Sequence, residues 1–142
     1  MRAKLPLRLA SIVLLLFALG HTVGFLSFRP QSPEALEVLD TMRRVPFDFG
    51  GTTVHWIDLY TGFGLTISVS GFVFAILAWR LSTSTAAEAA LARVVAWLLC
   101  AIQVANIILS LRYFASVQAG FSLACAALLA WGAVRLGSPE KS

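Results

Sequence analysis

The chain has 142 residues, of which 58% are hydrophobic and 13% charged, with a formal net charge of +4 and a mean hydropathy of +0.83. A soluble domain carries about a quarter charged residues, so this composition excludes an ordinary water-soluble fold and points to an integral membrane protein. The excess of basic residues is scattered around apolar runs without forming a patch, which excludes nucleic acid as a partner and leaves topology as its reading.

The first apolar run, residues 9–28, follows Arg2, Lys4 and Arg8 and is long enough to span a bilayer as a helix. Ala18-Leu19-Gly20 resembles a signal-peptide cleavage site, but the apolar character continues through Val23, Phe25, Leu26 and Phe28, which favours a retained span. His21 lies about two turns from its end, and Gly20 and Gly24 form a GxxxG that suits close helix packing.

The connection over residues 29–53 contains Ser32-Pro33, a capping hydroxyl followed by proline at the first helical position. Leu36, Leu39 and Met42 recur behind it, Glu34 and Glu37 stand near the start, and Arg43 and Arg44 near the end. The pattern predicts a short amphipathic helix, lying at the interface or simply on the surface, with Asp40 placed to pair with Arg44. Pro46 ends it.

The second span is expected over 56–81, capped by Thr52 or Thr53, with Trp56 and Trp79 at its two interfaces. Asp58, Tyr60 and Thr61 fall in its first turns, and an acid there is a functional-site hypothesis by default. Its plain alternative is a carboxylate that offsets the helix dipole. Gly64, Ser68 and Gly71 share one side as a packing seam, while Asp58 projects away from it, on the side of His55 and Gly62.

The third and fourth spans are expected over 92–111 and 115–134, joined by a turn so short that they must be antiparallel neighbours. Gln103, Asn106 and Ser110 share one side of the third, and Gln118, Ser122 and Cys125 one side of the fourth. The turn joining them and the 29–53 connection lie at the same end of the spans. His21, Asp58, Tyr60, Thr61, Gln103, Asn106 and Gln118 all crowd toward that end, which predicts a polar cluster or cavity opening there. Interhelical hydrogen bonding is the competing reading, worth about 0.6–2 kcal/mol per contact.

Lysine and arginine set the orientation. Arg2, Lys4, Arg8, Arg80, Arg93, Arg135 and Lys141 fall on one side, against Arg29, Arg43, Arg44 and Arg112 on the other. Both termini are therefore expected in the cytoplasm and the 29–53 loop outside. Cys100 and Cys125 give no metal spacing and read as small buried apolar residues. A metal set of His21, Asp48, His55 and Asp58 would resemble a two-histidine-plus-carboxylate site, but its grouping is assumed. Bis-histidine haem is disfavoured because His55 lies at the surface and His21 deeper, so no cofactor is named.

His21-Thr22-Val23-Gly24, Phe47-Asp48-Phe49-Gly50-Gly51 and Asp58-Leu59-Tyr60-Thr61-Gly62-Phe63-Gly64 together resemble a family of small bacterial four-helix membrane proteins of unknown function. The resemblance covers the first two spans and the loop between them, and it implies that His21, Asp48, Asp58, Tyr60, Gly62 and Gly64 are the positions to test. The architecture is also similar to that of anthrone-oxygenase-like and DoxX-like proteins, a likeness of shape that carries no function. The expectation is thus a single all-α domain over residues 1–142, a four-helix transmembrane bundle with a short amphipathic helix in the outer loop, in a bacterial inner membrane. Its partners are the lipid bilayer, a small apolar ligand or lipid, and a second copy or membrane protein. Function divides between a small-molecule or lipid-facing site built around His21 and Asp58, working by proton transfer or ligand orientation, and a non-catalytic component whose polar residues serve association.

Overall fold

The computed structural model describes residues 3–114 and 116–136. Arg2 and Lys141 of the charge comparison, and Ala115 at the expected start of the fourth span, lie outside them. The elements in order are α1 (Lys4–Ser27), α2 (Pro33–Arg44), β1 (Pro46–Phe49), β2 (Thr52–His55), α3 (Trp56–Leu81), α4 (Ala89–Tyr113) and α5 (Ser116–Leu136). Four of the helices, α1, α3, α4 and α5, are long and apolar enough to cross a membrane, the build of a multi-pass membrane protein. On each, large apolar side chains such as Leu16, Ile76, Ile108 and Leu123 stand exposed, an outward surface suited to lipid contact. Helix α3 has the expected bounds. Helix α1 begins earlier than expected, at Lys4, because Pro6 falls in its first turn, where a missing N–H costs no intrahelical bond.

The chain divides into two compact units, one of the residues up to Phe17 and from Gly71 onward, the other Ala18–Ser70. In the first, the start of α1, the end of α3, α4 and α5 share one core. Ala10, Ala75, Ala78, Ala96, Ala126 and Ala133 supply its small side chains, and Leu7, Leu14, Leu99 and Leu129 its bulk. Small residues let helix backbones approach closely, which is how association proceeds where lipid is as apolar as leucine. A Cβ on Gly132 would lie 2.5 Å from Leu7 Cδ2, so any larger residue there would force that leucine to shift. Ser11 Oγ donates to the Ala75 carbonyl at 2.7 Å, and the Arg8 guanidinium lies 5.1 Å from the Trp79 ring centroid. Cys100 and Cys125 are free and buried, and the Cys100 thiol donates to the Ala126 carbonyl at 3.4 Å.

In the second unit, Ser32 caps α2 by accepting the Ala35 N–H at 3.2 Å, with Pro33 opening the helix. Asp40 pairs with Arg43 at 3.2 Å, and not with Arg44 as the i,i+4 spacing suggests. The residues between α2 and α3, expected to hold only a polar turn and a cap, form an antiparallel hairpin that pairs Pro46 with His55 and Phe49 with Thr52. Gly50 and Gly51 make its turn at φ +63° and +86°, the left-handed conformations that a tight two-residue hairpin turn demands. Thr52 and Thr53 therefore belong to β2 and do not cap α3.

Candidate functional site

The unit Ala18–Ser70 holds the residues that the motifs single out. His21, half-buried on α1, has its Nδ1 3.1 Å from Ser68 Oγ on α3. One turn along, the Phe25 ring stacks on the imidazole with centroids 5.8 Å apart and planes 5° from parallel, and it meets the Tyr60 ring at 5.2 Å. Gly64 makes this possible. A Cβ there would overlap the Phe25 ring. An imidazole, a hydroxyl and two aromatic rings thus run up the line where α1 meets α3.

Asp58 is held elsewhere. Its Oδ2 accepts the His55 backbone N–H at 2.8 Å and lies 3.5 Å from His55 Nδ1, and its side chain is exposed. An acid three residues into a helix that reaches back to the amide just before it is half of a capping box. Neither Arg29 nor Arg112 pairs with Asp58: Arg29 bonds the Phe28 carbonyl and Arg112 lies over the Tyr113 ring. Ser68 is ten residues further along α3, about 15 Å at the helical rise, so His21 and Asp58 make no direct contact. Helix capping explains the separation, since the orphan amide of His55 sits at the very start of α3.

Asp48 serves its own turn, its Oδ1 accepting the Gly51 N–H at 3.2 Å. Among the described residues no three His, Cys, Asp or Glu side chains come together as a metal-holding group. Of the set His21, Asp48, His55 and Asp58, only His55 and Asp58 meet. Phe47 stacks on Trp56 at 4.4 Å and joins the hairpin to the head of α3, while Thr61 is half-buried in its second turn. Gly20, Gly24 and Gly62 have nothing within reach of an added Cβ, so Gly64 takes the packing role in this unit. Gly71, at the start of the other unit, is buried.

The other unit holds the amides. The buried stripe of α4 runs Ala92, Ala96, Leu99, Cys100, Gln103 and Ser110, and that of α5 runs Ala119, Ser122, Cys125, Ala126, Leu129, Gly132 and Ala133. The seam between these helices is apolar where Leu99 and Leu129 lie and turns polar toward the α4–α5 turn. Gln103, Ser110 and Ser122 are only 4%, 6% and 7% exposed there, with Asn106 and Gln118 half-buried. None of the five side chains hydrogen-bonds to another described residue, and the Gln118 Oε1 is shut off from solvent without a donor. Several hydroxyls elsewhere bond within their own helix: Thr22 donates to the Ala18 carbonyl, Thr66 to that of Gly62 and Ser82 to that of Trp79.

Ser68, the partner of His21, was visible in the sequence only as a small seam residue. A hydroxyl one turn beyond Gly64 on the packing side was the signal that could have marked it.

These features define a multi-pass α-helical membrane protein with polar groups set in two of its helix seams. Comparison with family models, with curated proteins and with solved structures finds no match to this chain.

Proposed function

We propose that this chain is a bacterial inner-membrane protein, both termini cytoplasmic, that binds a small amphiphilic molecule or lipid in the outer half of its spans. The observation that carries the reading is the set of unpaired amides and hydroxyls in the α4–α5 seam. In hydrocarbon no solvent satisfies such groups, and each left unpaired costs about 1–3 kcal/mol, so a sequence that keeps several together has something for them to hold. The contact of His21 with Ser68 is a second point of chemistry, with an imidazole able to give or take a proton. The H-T-x-G resemblance draws attention to His21, and D-x-Y-x-G-F-G to Tyr60 and Gly64, which meet the Phe25 ring stacked on it. Asp58 supports the site indirectly, by fixing the head of α3. Helix α2, with Leu39 and Met42 turned partly inward and its charges outward, suits a place at the membrane interface.

The competing reading is a component whose polar residues join helices or a partner. It requires direct side-chain pairing, and the seam residues supply none among themselves. Native mass spectrometry of protein carried from its membrane into nanodiscs without detergent exchange is the test. A retained molecule of defined mass, about one per chain, supports the binding reading. Protein released bare, with Gln103→Leu and His21→Ala variants equally bare and each destabilised, overturns it in favour of association.

A further inference from the structure

Resting on that reading, we infer that the α4–α5 seam takes the head group of an uncharged lipid alcohol, a glycerolipid with one free hydroxyl being the simplest. The seam contains the buried amide of Gln103, two buried hydroxyls, Ser110 and Ser122, and the half-buried amides of Asn106 and Gln118. Every one of these is neutral, and each offers both donor and acceptor capacity. The nearest cation along either helix, Arg112, is exposed and engaged with the Tyr113 ring. A phosphate or ammonium placed in the seam would be a buried charge without a counter-ion, which excludes charged head groups.

The Gln118 Oε1 narrows the class further. It is an acceptor closed off from solvent, so its occupant must bring a donor. A quinone offers only acceptors and would leave it unsatisfied. A hydroxyl supplies the donor, and the amide nitrogens and serine hydroxyls can in turn donate to ester carbonyls. The surroundings suit an amphiphile better than water alone. The outward faces of both helices are apolar, with Leu123 on α5 and Leu109 on α4 exposed, so acyl chains can lie along them.

The test uses wild-type protein in phosphatidylcholine nanodiscs with 1,2-dioleoylglycerol or its 3-O-methyl ether, read by native mass spectrometry. Wild type should retain one dioleoylglycerol per chain, saturably, and about tenfold better than the ether, the cost of one buried acceptor left unpaired. Gln118→Leu should bind alcohol and ether alike, and Gln103→Leu should hold both about tenfold more weakly. Equal retention of alcohol and ether by the wild type overturns the inference, and this comparison needs no variant to fold. Retention that is lost in His21→Ala but kept in both seam variants moves the ligand to the His21 seam, so the inference falls while the proposed function stands. No retained amphiphile under any condition removes both.

Discussion

Gly64 of α3 lies directly beneath the ring of Phe25 of α1, so closely that the ring occupies the place a Cβ would take. That single contact sets the height at which Phe25 bridges His21 and Tyr60. Gly64→Ala should therefore destabilise the protein by about 1–3 kcal/mol, as overpacking does, and displace the ring from the imidazole. Phe25→Ala should cost stability alone, yet the double variant should be milder than the sum because the clash is then gone. Unfolding in detergent by denaturant titration checks this. Additive losses would show that Gly64 and Phe25 do not share the contact.

At the head of α3 the prediction separates capping from catalysis. Asp58→Ala removes the acceptor of the His55 amide and should cost about 1 kcal/mol, whereas Asp58→Asn keeps an acceptor and should recover most of it. Amide exchange at His55 should quicken in the alanine variant. If ligand retention falls in Asp58→Asn while that exchange is unchanged, the carboxylate acts on the ligand itself.

The α3–α4 connection carries a pH-sensitive contact. Glu88 accepts the Thr85 N–H at 2.8 Å and its hydroxyl at 2.9 Å, and these bonds hold its carboxyl below the usual glutamate value. A depressed acid stabilises the fold fully above its unfolded pKa and loses that contribution as pH falls through the lower folded value. Glu34 behaves likewise at the start of α2, its carboxyl lowered by its own backbone amide and the Ser32 hydroxyl. The Thr85 and Glu34 amide resonances should therefore shift only below the ordinary glutamate range. Thr85→Ala should move the first midpoint upward and Ser32→Ala the second. Midpoints that stay put would detach these shifts from the hydrogen bonds.

The four spans were legible because an apolar run of bilayer length leaves few alternatives, and α2 was legible through its Ser-Pro start. The hairpin was missed because its strands have only four residues each, although paired glycines between Phe49 and Thr52 are a known turn signal. The spacing of Gln103, Asn106 and Ser110 showed that they share a side, but side-chain spacing says nothing about whether an amide finds a partner. Asp58 is the instructive case. Its projection away from the Gly64–Ser68–Gly71 seam already set it apart from anything α1 lays on that seam. What claimed it was a backbone amide, and no side-chain pattern displays such a group.

Orientation gives the last prediction. Lys4, Arg8, Arg80, Arg93 and Arg135 fall at one end of the spans, while Arg29, Arg43, Arg44 and Arg112 at the other share it with Glu34, Glu37, Asp40 and Asp48. Short basic segments stay in the cytoplasm, and orientation follows the lysines and arginines far more than the acids. With Arg2 and Lys141 counted, the margin is seven against four, and it calls for direct measurement. Glu37 is exposed on α2 and makes no ion pair with a described residue, so Glu37→Cys should leave the fold intact. Ala87, exposed between α3 and α4, serves the opposite side as Ala87→Cys. The native Cys100 and Cys125 are buried and should give little background. In spheroplasts a membrane-impermeant maleimide should label Glu37→Cys at once and Ala87→Cys only after lysis. The reverse pattern would turn the protein over and place α2 on the cytoplasmic side.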